Sequence, residues 1–192
     1  MYKLVETFVA PQGEAAHLGK LSLFVRFFGC NYTCDFCDES LHSEPKNITE
    51  YSIEDLVKLY AESGVSHVVI TGGEPTLQNL NSLIGALKGM GAYVQVETNG
   101  NKLYNVQAAD WITVSPKFGD LIDNDRINEI KIPVDETTEE AYIGYYTARY
   151  DNVWLTPINN EKSLNLANTD VAIKLLNPAK LNIQAHKVWG VR

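Results

Sequence analysis

The sequence has few cysteines, a shortage of basic residues and no long apolar run. No stretch reaches the roughly 18 consecutive apolar residues that can cross a membrane, so we do not expect a membrane protein. Lys and Arg number 16 against 24 Asp and Glu, and the net charge of −8 argues against a nucleic-acid-binding protein, which carries a basic face. The opening MYKLVETFVAPQGE contains no basic-then-apolar leader. We therefore expect a cytoplasmic protein in a reducing environment.

The length and composition predict one domain. A chain of 192 residues, 45% of them hydrophobic, is long enough to bury a sizeable core. We see no internal repeat, low-complexity segment or long linker. The expected domain covers residues 1–192.

All three cysteines lie in one stretch, GCNYTCDFCDES, as Cys30, Cys34 and Cys37. Thiolates are soft ligands that suit iron–sulfur clusters or zinc. A closed structural zinc site needs four protein ligands, and only three thiols exist here. Three thiolates on one loop can instead hold three irons of a 4Fe-4S cube, which leaves the fourth iron open to another ligand.

The same loop is compatible with three alternatives to a cluster. The cysteines could be inert buried thiols, although such thiols seldom cluster in this way. His42 could complete a zinc site as a fourth ligand. A disulfide with one thiol left over is the third alternative, but it fits poorly with a chain that has no export signal.

Strand-like and helix-like segments alternate along the chain. Residues 1–8 are predicted as a short edge strand, residues 11–14 as a polar turn, and Ser52 and Gly64 as the start and stop signals of a helix. Further strands are expected at residues 21–28, 66–71, 92–97, 111–114, within 127–134, at 152–155 and near 181–184. Further helices are expected at residues 78–90, 137–150 and 164–176.

This alternation of strands and helices predicts an α/β fold with a parallel sheet. Six main strands and about three crossover helices are too few for an eight-fold barrel, so we expect an open, partial β/α barrel. Its cysteine loop follows the first barrel strand, and its functional groups collect at the carboxyl ends of the strands.

Polar residues with chemical potential stand in or after these strands. Arg26 interrupts a buried strand, either as part of a core salt bridge or as a clamp for a substrate carboxylate. The GGEP motif ends the next strand, where its glycines let the backbone approach a ligand and Glu74 can accept a hydrogen bond from an ammonium group. Glu97, Ser115 and Lys117 follow later strands.

The cysteine spacing, with Phe36 before the third cysteine and GGEP one strand later, resembles the radical S-adenosylmethionine (SAM) superfamily. In that superfamily the free iron is chelated by the amino and carboxylate groups of SAM. Over nearly its full length the chain further resembles the family of 7-carboxy-7-deazaguanine synthases. The blocks that carry this likeness are, in order, PQGE, FVRFFGCN, CDFCD, TGGEPTLQ, VETNG, VSPK, TPIN and QAHKVWGVR.

The resemblance implies a role for each matching position. Ligands of the 4Fe-4S cluster would be Cys30, Cys34 and Cys37. Residues that bind SAM would be Gly73, Glu74, Glu97, Ser115, Pro116 and Lys117. Residues that bind a pterin substrate would be Pro11, Gln12, Gly13, Glu14, Arg26, Thr71, Thr156, Pro157, Ile158, Asn159 and the terminal carboxylate of Arg192.

Three positions depart from the family pattern. Ala15 follows QGE where the family usually has Gly. Glu39 stands where a Thr or Ser usually binds Mg²⁺, so Glu39, or Ser40 after a small shift, would hold the ion. TPIN replaces a block that commonly contains Gln-Pro.

The reaction implied by the resemblance begins when a one-electron donor such as flavodoxin or ferredoxin reduces the cluster. A 5′-deoxyadenosyl radical then removes hydrogen from C6 of 6-carboxy-5,6,7,8-tetrahydropterin. The ring contracts, ammonia leaves, 7-carboxy-7-deazaguanine forms, and SAM is regenerated. The family also implies a homodimer, with no nucleic-acid or membrane partner. Two alternatives remain: an activase of a glycyl-radical enzyme from the same superfamily, and a non-catalytic iron–sulfur or zinc-binding module.

Overall fold

A computed structural model describes residues 1–37, 39, 41–159 and 164–191 of the chain. Its strands are β1 (Tyr2–Pro11), β2 (Leu21–Phe27), β3 (Thr49–Tyr51), β4 (His67–Gly72), β5 (Tyr93–Thr98), β6 (Trp111–Val114), β7 (Glu129–Val134), β8 (Val153–Pro157) and β9 (Lys180–Leu181). Its α-helices are α1 (Ile53–Ser63), α2 (Asn81–Gly89), α3 (Glu140–Thr147), α4 (Leu166–Lys174) and α5 (Ala185–Trp189).

Within the described residues the strands form one sheet in the order β3-β1-β2-β4-β5-β6-β7-β8-β9. From β2 to β9 every neighbouring pair is parallel, whereas β1 runs antiparallel to both β2 and β3. The prediction of an open, mostly parallel α/β sheet is therefore confirmed. The prediction of an edge strand at residues 1–8 is wrong for its first part, because β3 pairs with Tyr2, Lys3 and Leu4 along the outer side of β1. Beyond Leu4 no described strand pairs with that side of β1.

The helices begin and end largely where the sequence signals them. Ser52 caps α1 and exchanges hydrogen bonds with Asp55 in a capping box, and Gly64 ends the helix with a left-handed φ of 70°. Four helices, α1 to α4, serve as crossovers in the described chain, and the β5–β6 and β6–β7 connections contain no α-helix. The longest, α1, has 11 residues, and no described helix is long and apolar enough to span a membrane.

The two faces of the sheet differ in polarity because side chains alternate along each strand. Ile130 and Ile132 of β7 belong to the apolar core that packs against the helices. Their strand neighbours Glu129 and Lys131 alternate with them, so these two side chains point to the opposite, concave face, where they are also buried. The concave face therefore carries a buried polar layer, on which the chemistry of the protein can be built.

The connection from β1 to β2 folds into this concave face. We call residues 12–20 the plug loop. The backbone N–H of Ala16 donates to Glu129 Oε2 (2.9 Å), and the ring of His17 packs 5.0 Å from the ring of His67. The plug loop thereby closes one end of the open barrel and carries its first residues toward the other end.

Candidate active site

A cavity of about 980 Å³ opens at the carboxyl ends of the parallel strands. The predicted site residues on its wall are Pro11, Gln12, Gly13, Glu14, Arg26, Cys30, Cys34, Cys37, Glu39, Thr71, Gly73, Glu97, Ser115, Lys117, Thr156, Pro157, Ile158 and Asn159. Glu74 and Pro116 are not on this wall. Ser40 and Arg192 lie outside the described residues. Residues far apart in sequence are thus gathered around one space.

The cysteine loop leaves β2 with three free thiols that all line the cavity. A backbone hydrogen bond from Cys37 N–H to Cys34 O (3.0 Å) tightens the loop. Burial raises the pKa of the Cys30 and Cys34 thiols, so bare thiolates are disfavoured there without a nearby cation. Three soft donors that need a cation fit a 4Fe-4S cluster, in which each thiolate binds its own iron.

The structure also bears on the disulfide and zinc alternatives for the cysteines. No disulfide joins them. His42 Nε2 lies 3.5 Å from Cys37 Sγ, but among the described residues no three His, Cys, Asp or Glu side chains converge on a single metal ion. A closed zinc site that includes His42 is therefore not supported in the described part of the chain.

Arg26 takes part in an ion-pair network on the cavity wall. Its Nε lies 3.0 Å from Glu6 Oε1 and 3.2 Å from Glu39 Oε2. The two carboxylates stabilise the charge of this half-buried guanidinium, as the salt-bridge interpretation required. The residue nevertheless borders the cavity, as the clamp interpretation required. Glu39, predicted as a magnesium ligand, faces Arg26 in this structure, and its role toward Mg²⁺ stays a prediction.

Lys131 is a cavity residue that was not predicted from the sequence. Its Nζ lies 2.6 Å from Glu14 Oε2 and 2.6 Å from Glu97 Oε2. Burial disfavours the charged ammonium, but the two carboxylates outweigh this effect and raise the pKa of Lys131. The signal that could have found it is the one that marked Arg26, a cation within an otherwise apolar strand.

The GGEP turn after β4 comes close to the backbone of the cysteine loop. A Cβ on Gly72 would lie 2.2 Å from Phe27 O, and one on Gly73 would lie 2.3 Å from Gly29 O. Only glycine permits this approach, which brings the Gly73 backbone to the cavity beside the cysteine loop.

The Glu74 side chain is engaged within the protein, and its predicted contact with an ammonium group stays a prediction. The side chain is only 1% exposed. Its carboxylate accepts hydrogen bonds from Thr76 N–H (2.8 Å), Thr98 Oγ1–H (2.7 Å) and Asn99 N–H (2.6 Å). Glu74 therefore ties the ends of β4 and β5 together instead of facing the cavity.

The segment after β6 divides its side chains between two cavities. Lys117 donates from Nζ to Ser115 Oγ (2.7 Å), and its Nζ lies 5.8 Å from the centre of the Phe36 ring. Pro116 is buried and lines a neighbouring cavity of about 680 Å³. Phe36 and Lys117 border both spaces, so the cysteine loop and this segment form a shared wall.

The end of β8 and the C-terminal segment close another side. Asn182 Nδ2 donates to Thr156 Oγ1 (3.0 Å), and Asn159 Nδ2 donates to Gln184 Oε1 (3.2 Å). These amides hold the TPIN block against the chain that leads into α5. Among the residues not predicted, Gln184, His186, Lys187 and Val191 also line the cavity.

The plug loop and the C-terminal segment are packed against each other. Ala185 N–H donates to Gly13 O (2.9 Å), and a Cβ on Gly13 would lie 2.4 Å from His186 Nδ1. Ala15, the residue that replaces a usual Gly, has a φ of +53°. This left-handed conformation favours glycine, which explains the residue type that is usual there.

Comparison with known proteins places this arrangement in a family. A sequence model of the Radical SAM superfamily matches residues 24–154. The 7-carboxy-7-deazaguanine synthase of Bacteroides thetaiotaomicron is 31% identical over 198 residues, which cover 100% of this chain and 100% of that protein. The chain belongs to the 7-carboxy-7-deazaguanine synthase family of radical SAM proteins.

Further members of the synthase family extend this likeness. The enzyme of Synechocystis is 32% identical over 202 residues, covering 100% of this chain and 94% of that protein. The match to the Rhodopirellula baltica synthase is stronger but shorter, with 44% identity over 114 residues, 59% of this chain and 44% of that protein. The crystal structure of QueE from Escherichia coli superposes with a TM-score of 0.75 at 29% identity, covering 96% of this chain and 94% of that one.

Proposed function

We propose that this protein is a 7-carboxy-7-deazaguanine synthase. It converts 6-carboxy-5,6,7,8-tetrahydropterin to 7-carboxy-7-deazaguanine with loss of ammonia, in the biosynthesis of 7-deazapurines of the queuosine type. The observation that carries this proposal is the cavity itself, which joins three free thiols to the plug loop and Arg26 in a chain related to synthases over its full length. Residues 1–192 act as one catalytic domain.

The cofactor half of the cavity belongs to the cysteine loop. Cys30, Cys34 and Cys37 hold the 4Fe-4S cluster, and the bound cluster and SAM together supply the one-electron chemistry. The protein contributes orientation and exclusion of water. The Gly73 backbone and the Ser115–Lys117 pair offer polar groups on the wall next to the thiols. Glu74 supports this wall from behind, because its carboxylate fixes the strand ends that form it.

The substrate half lies between β2 and the plug loop. Arg26 binds the pterin carboxylate through its planar fork of donors. Gln12 and Glu14 supply polar groups on the same wall. Glu97, which the resemblance assigned to SAM, is placed in this half because it contacts Gln12 and Lys131. The TPIN block and the C-terminal segment enclose the other side, which keeps the reacting carbon away from water.

The remaining parts of the proposal concern the ion, the partners and the compartment. Mg²⁺, a hard cation that prefers oxygen ligands, would be held by Glu39 or Ser40, and it would add positive charge for binding the substrate carboxylate. Flavodoxin or ferredoxin would supply the electron, and the chain would work as a homodimer in the reducing cytoplasm.

An anaerobic turnover assay tests the function. Reconstituted protein, dithionite, SAM and 6-carboxytetrahydropterin are combined with and without Mg²⁺, and mass spectrometry searches for 7-carboxy-7-deazaguanine. We expect product from the unaltered protein and a loss of at least about 10-fold in kcat/KM for Arg26→Lys, which keeps the charge but loses the fork. Deoxyadenosine and methionine without the product would refute the synthase and favour an activase. If none of these three compounds forms although the cluster is intact, the protein is not a radical enzyme.

Glu39→Ala and Glu39→Thr provide a matched pair for the metal. If Glu39 binds Mg²⁺, the alanine variant needs a higher Mg²⁺ concentration for half-maximal turnover, and the threonine variant recovers the dependence usual in the family. Identical Mg²⁺ dependence in all three proteins would exclude Glu39 as the ligand.

A further inference from the structure

Lys131 places a buried ammonium group between two carboxylates on the cavity wall. The residue is 9% exposed. Its strand neighbours Ile130 and Ile132 belong to the apolar core on the other face of the sheet. A lone ammonium in such a position is costly, so its partners must stabilise it. Glu14 and Glu97, each 2.6 Å from Nζ, do so.

The two carboxylates come from parts of the chain that are far apart in sequence. Glu14 belongs to the plug loop and Glu97 to β5. Because one nitrogen contacts both, their oxygens lie close together and carry like charges. Burial raises the pKa of Glu97, the Lys131 ammonium counteracts that rise, and the Glu14 and Glu129 carboxylates add to it. Removing the ammonium would therefore drive a proton onto one member of the pair.

Side-chain amides also donate hydrogen bonds to the Glu14 and Glu97 carboxylates. Glu97 Oε1 accepts from Gln95 Nε2 (2.8 Å) and from Gln12 Nε2 (3.3 Å). Glu14 Oε1 accepts from Gln184 Nε2 (3.2 Å). Hydrogen bonds from several donors suit an ionised carboxylate. The hydrogen bonds around Glu14 and Glu97 therefore favour the ionised form of both carboxylates.

We infer that Lys131 is a positioning residue that keeps Glu14 and Glu97 ionised and in place as acceptors for an N–H-rich face of the substrate. The inference rests on the proposed function, since the aminopyrimidinone ring of a pterin supplies such N–H groups. The ammonium itself is engaged by the two acids, so the substrate carboxylate is left to Arg26. Lys131 acts through Glu14 and Glu97 and touches no reacting atom.

Infrared spectroscopy of the holoprotein tests the charge role without any substrate. In Lys131→Met at pH 7 we expect the carbonyl band of a protonated carboxylic acid, which is absent from the unaltered protein. The double variant Glu97→Gln with Lys131→Met should show a weaker band, because the Glu14 carboxylate no longer faces the Glu97 charge. Lys131→Arg, which restores a cation, should lack the band. A Lys131→Met spectrum identical to that of the unaltered protein would overturn the inference.

Anaerobic equilibrium binding of 6-carboxytetrahydropterin tests the positioning role. We expect affinity about 10- to 100-fold weaker in Lys131→Met, the loss associated with a charged hydrogen-bonding group, and substantial recovery in Lys131→Arg. Binding by Lys131→Met should also vary between pH 6 and pH 9 where the unaltered protein is flat. Unchanged affinity in a folded, cluster-loaded Lys131→Met would refute the positioning role. Failure of the unaltered protein to bind the pterin would refute the proposed function, and the infrared result would still decide whether Lys131 controls the two charges.

Discussion

Acid should destabilise the plug-loop end of the barrel through His67. This residue begins β4, is 1% exposed, and has its Nδ1 2.6 Å from Ser22 Oγ. Its ring packs 5.0 Å from that of His17 on the plug loop. Burial lowers the pKa of His67 to about 4, and the nearby His17 and Lys20 charges act in the same direction.

The size of the effect follows from the difference between the folded pKa and the ordinary value of 6.5. Because the folded pKa is depressed, the unfolded chain binds a proton that the folded chain refuses as the pH falls below 6.5. The contribution is fully present above pH 6.5 and is lost as the pH approaches 4. It amounts to about 2 to 3 kcal/mol of unfolding free energy, where the lower figure allows for screening by water near the two histidine rings.

Urea unfolding of the metal-free protein at pH 7.5 and pH 4.5, compared with His67→Gln, measures this contribution. Carboxylates titrate in both proteins, so the difference between the two pH dependences isolates the histidine. We expect the unaltered protein to lose about 2 kcal/mol more than the variant over this range. Hydrogen exchange should show that residues 12–20 open first. Equal losses in the two proteins would refute the reasoning, because they would mean that His67 is free to take up a proton in the folded state.

Two further predictions concern the packing of the cavity. In Gly13→Ala the new methyl group would collide with His186, so we expect the free energy of unfolding to fall by about 1 to 3 kcal/mol and limited proteolysis of the C-terminal segment to be faster. Gly85→Ala is the control, because a Cβ there meets nothing within 4 Å. Equal proteolysis rates in the two variants would contradict the contact. In Glu74→Ala the Asn99 N–H and neighbouring donors lose their buried acceptor, so chemical unfolding should report a loss of about 2 to 4 kcal/mol. A Glu74→Ala protein of unaltered stability but weaker SAM binding would contradict the supporting role and favour the predicted direct contact with the cofactor.

Local spacing determined a large part of this protein. Cys30, Cys34 and Cys37 lie within eight consecutive residues, so they share one loop, and the iron–sulfur interpretation needed no tertiary information. The cap of α1 at Ser52 and its end at Gly64 depend on neighbouring residues and were predicted for the same reason. The parallel sheet followed from the alternation of strand and helix patterns, which is a property of short segments.

Tertiary structure alone decided what the polar residues contact. The bond between Lys131 and Glu14 joins residues 117 positions apart, and no local pattern encodes such a pairing. The hydrogen bonds of Glu74 could not be predicted for the same reason, because the direction of a side chain at a strand end depends on the donors that a neighbouring strand presents. Residue patterns alone predicted the start of the plug loop as a polar turn, and its substrate-binding role came only from the family resemblance, because its burial arises from packing against distant strands. Sequence therefore specified which chemical groups reach the carboxyl ends of the strands, and the fold decided which of them face the cavity and which support its wall.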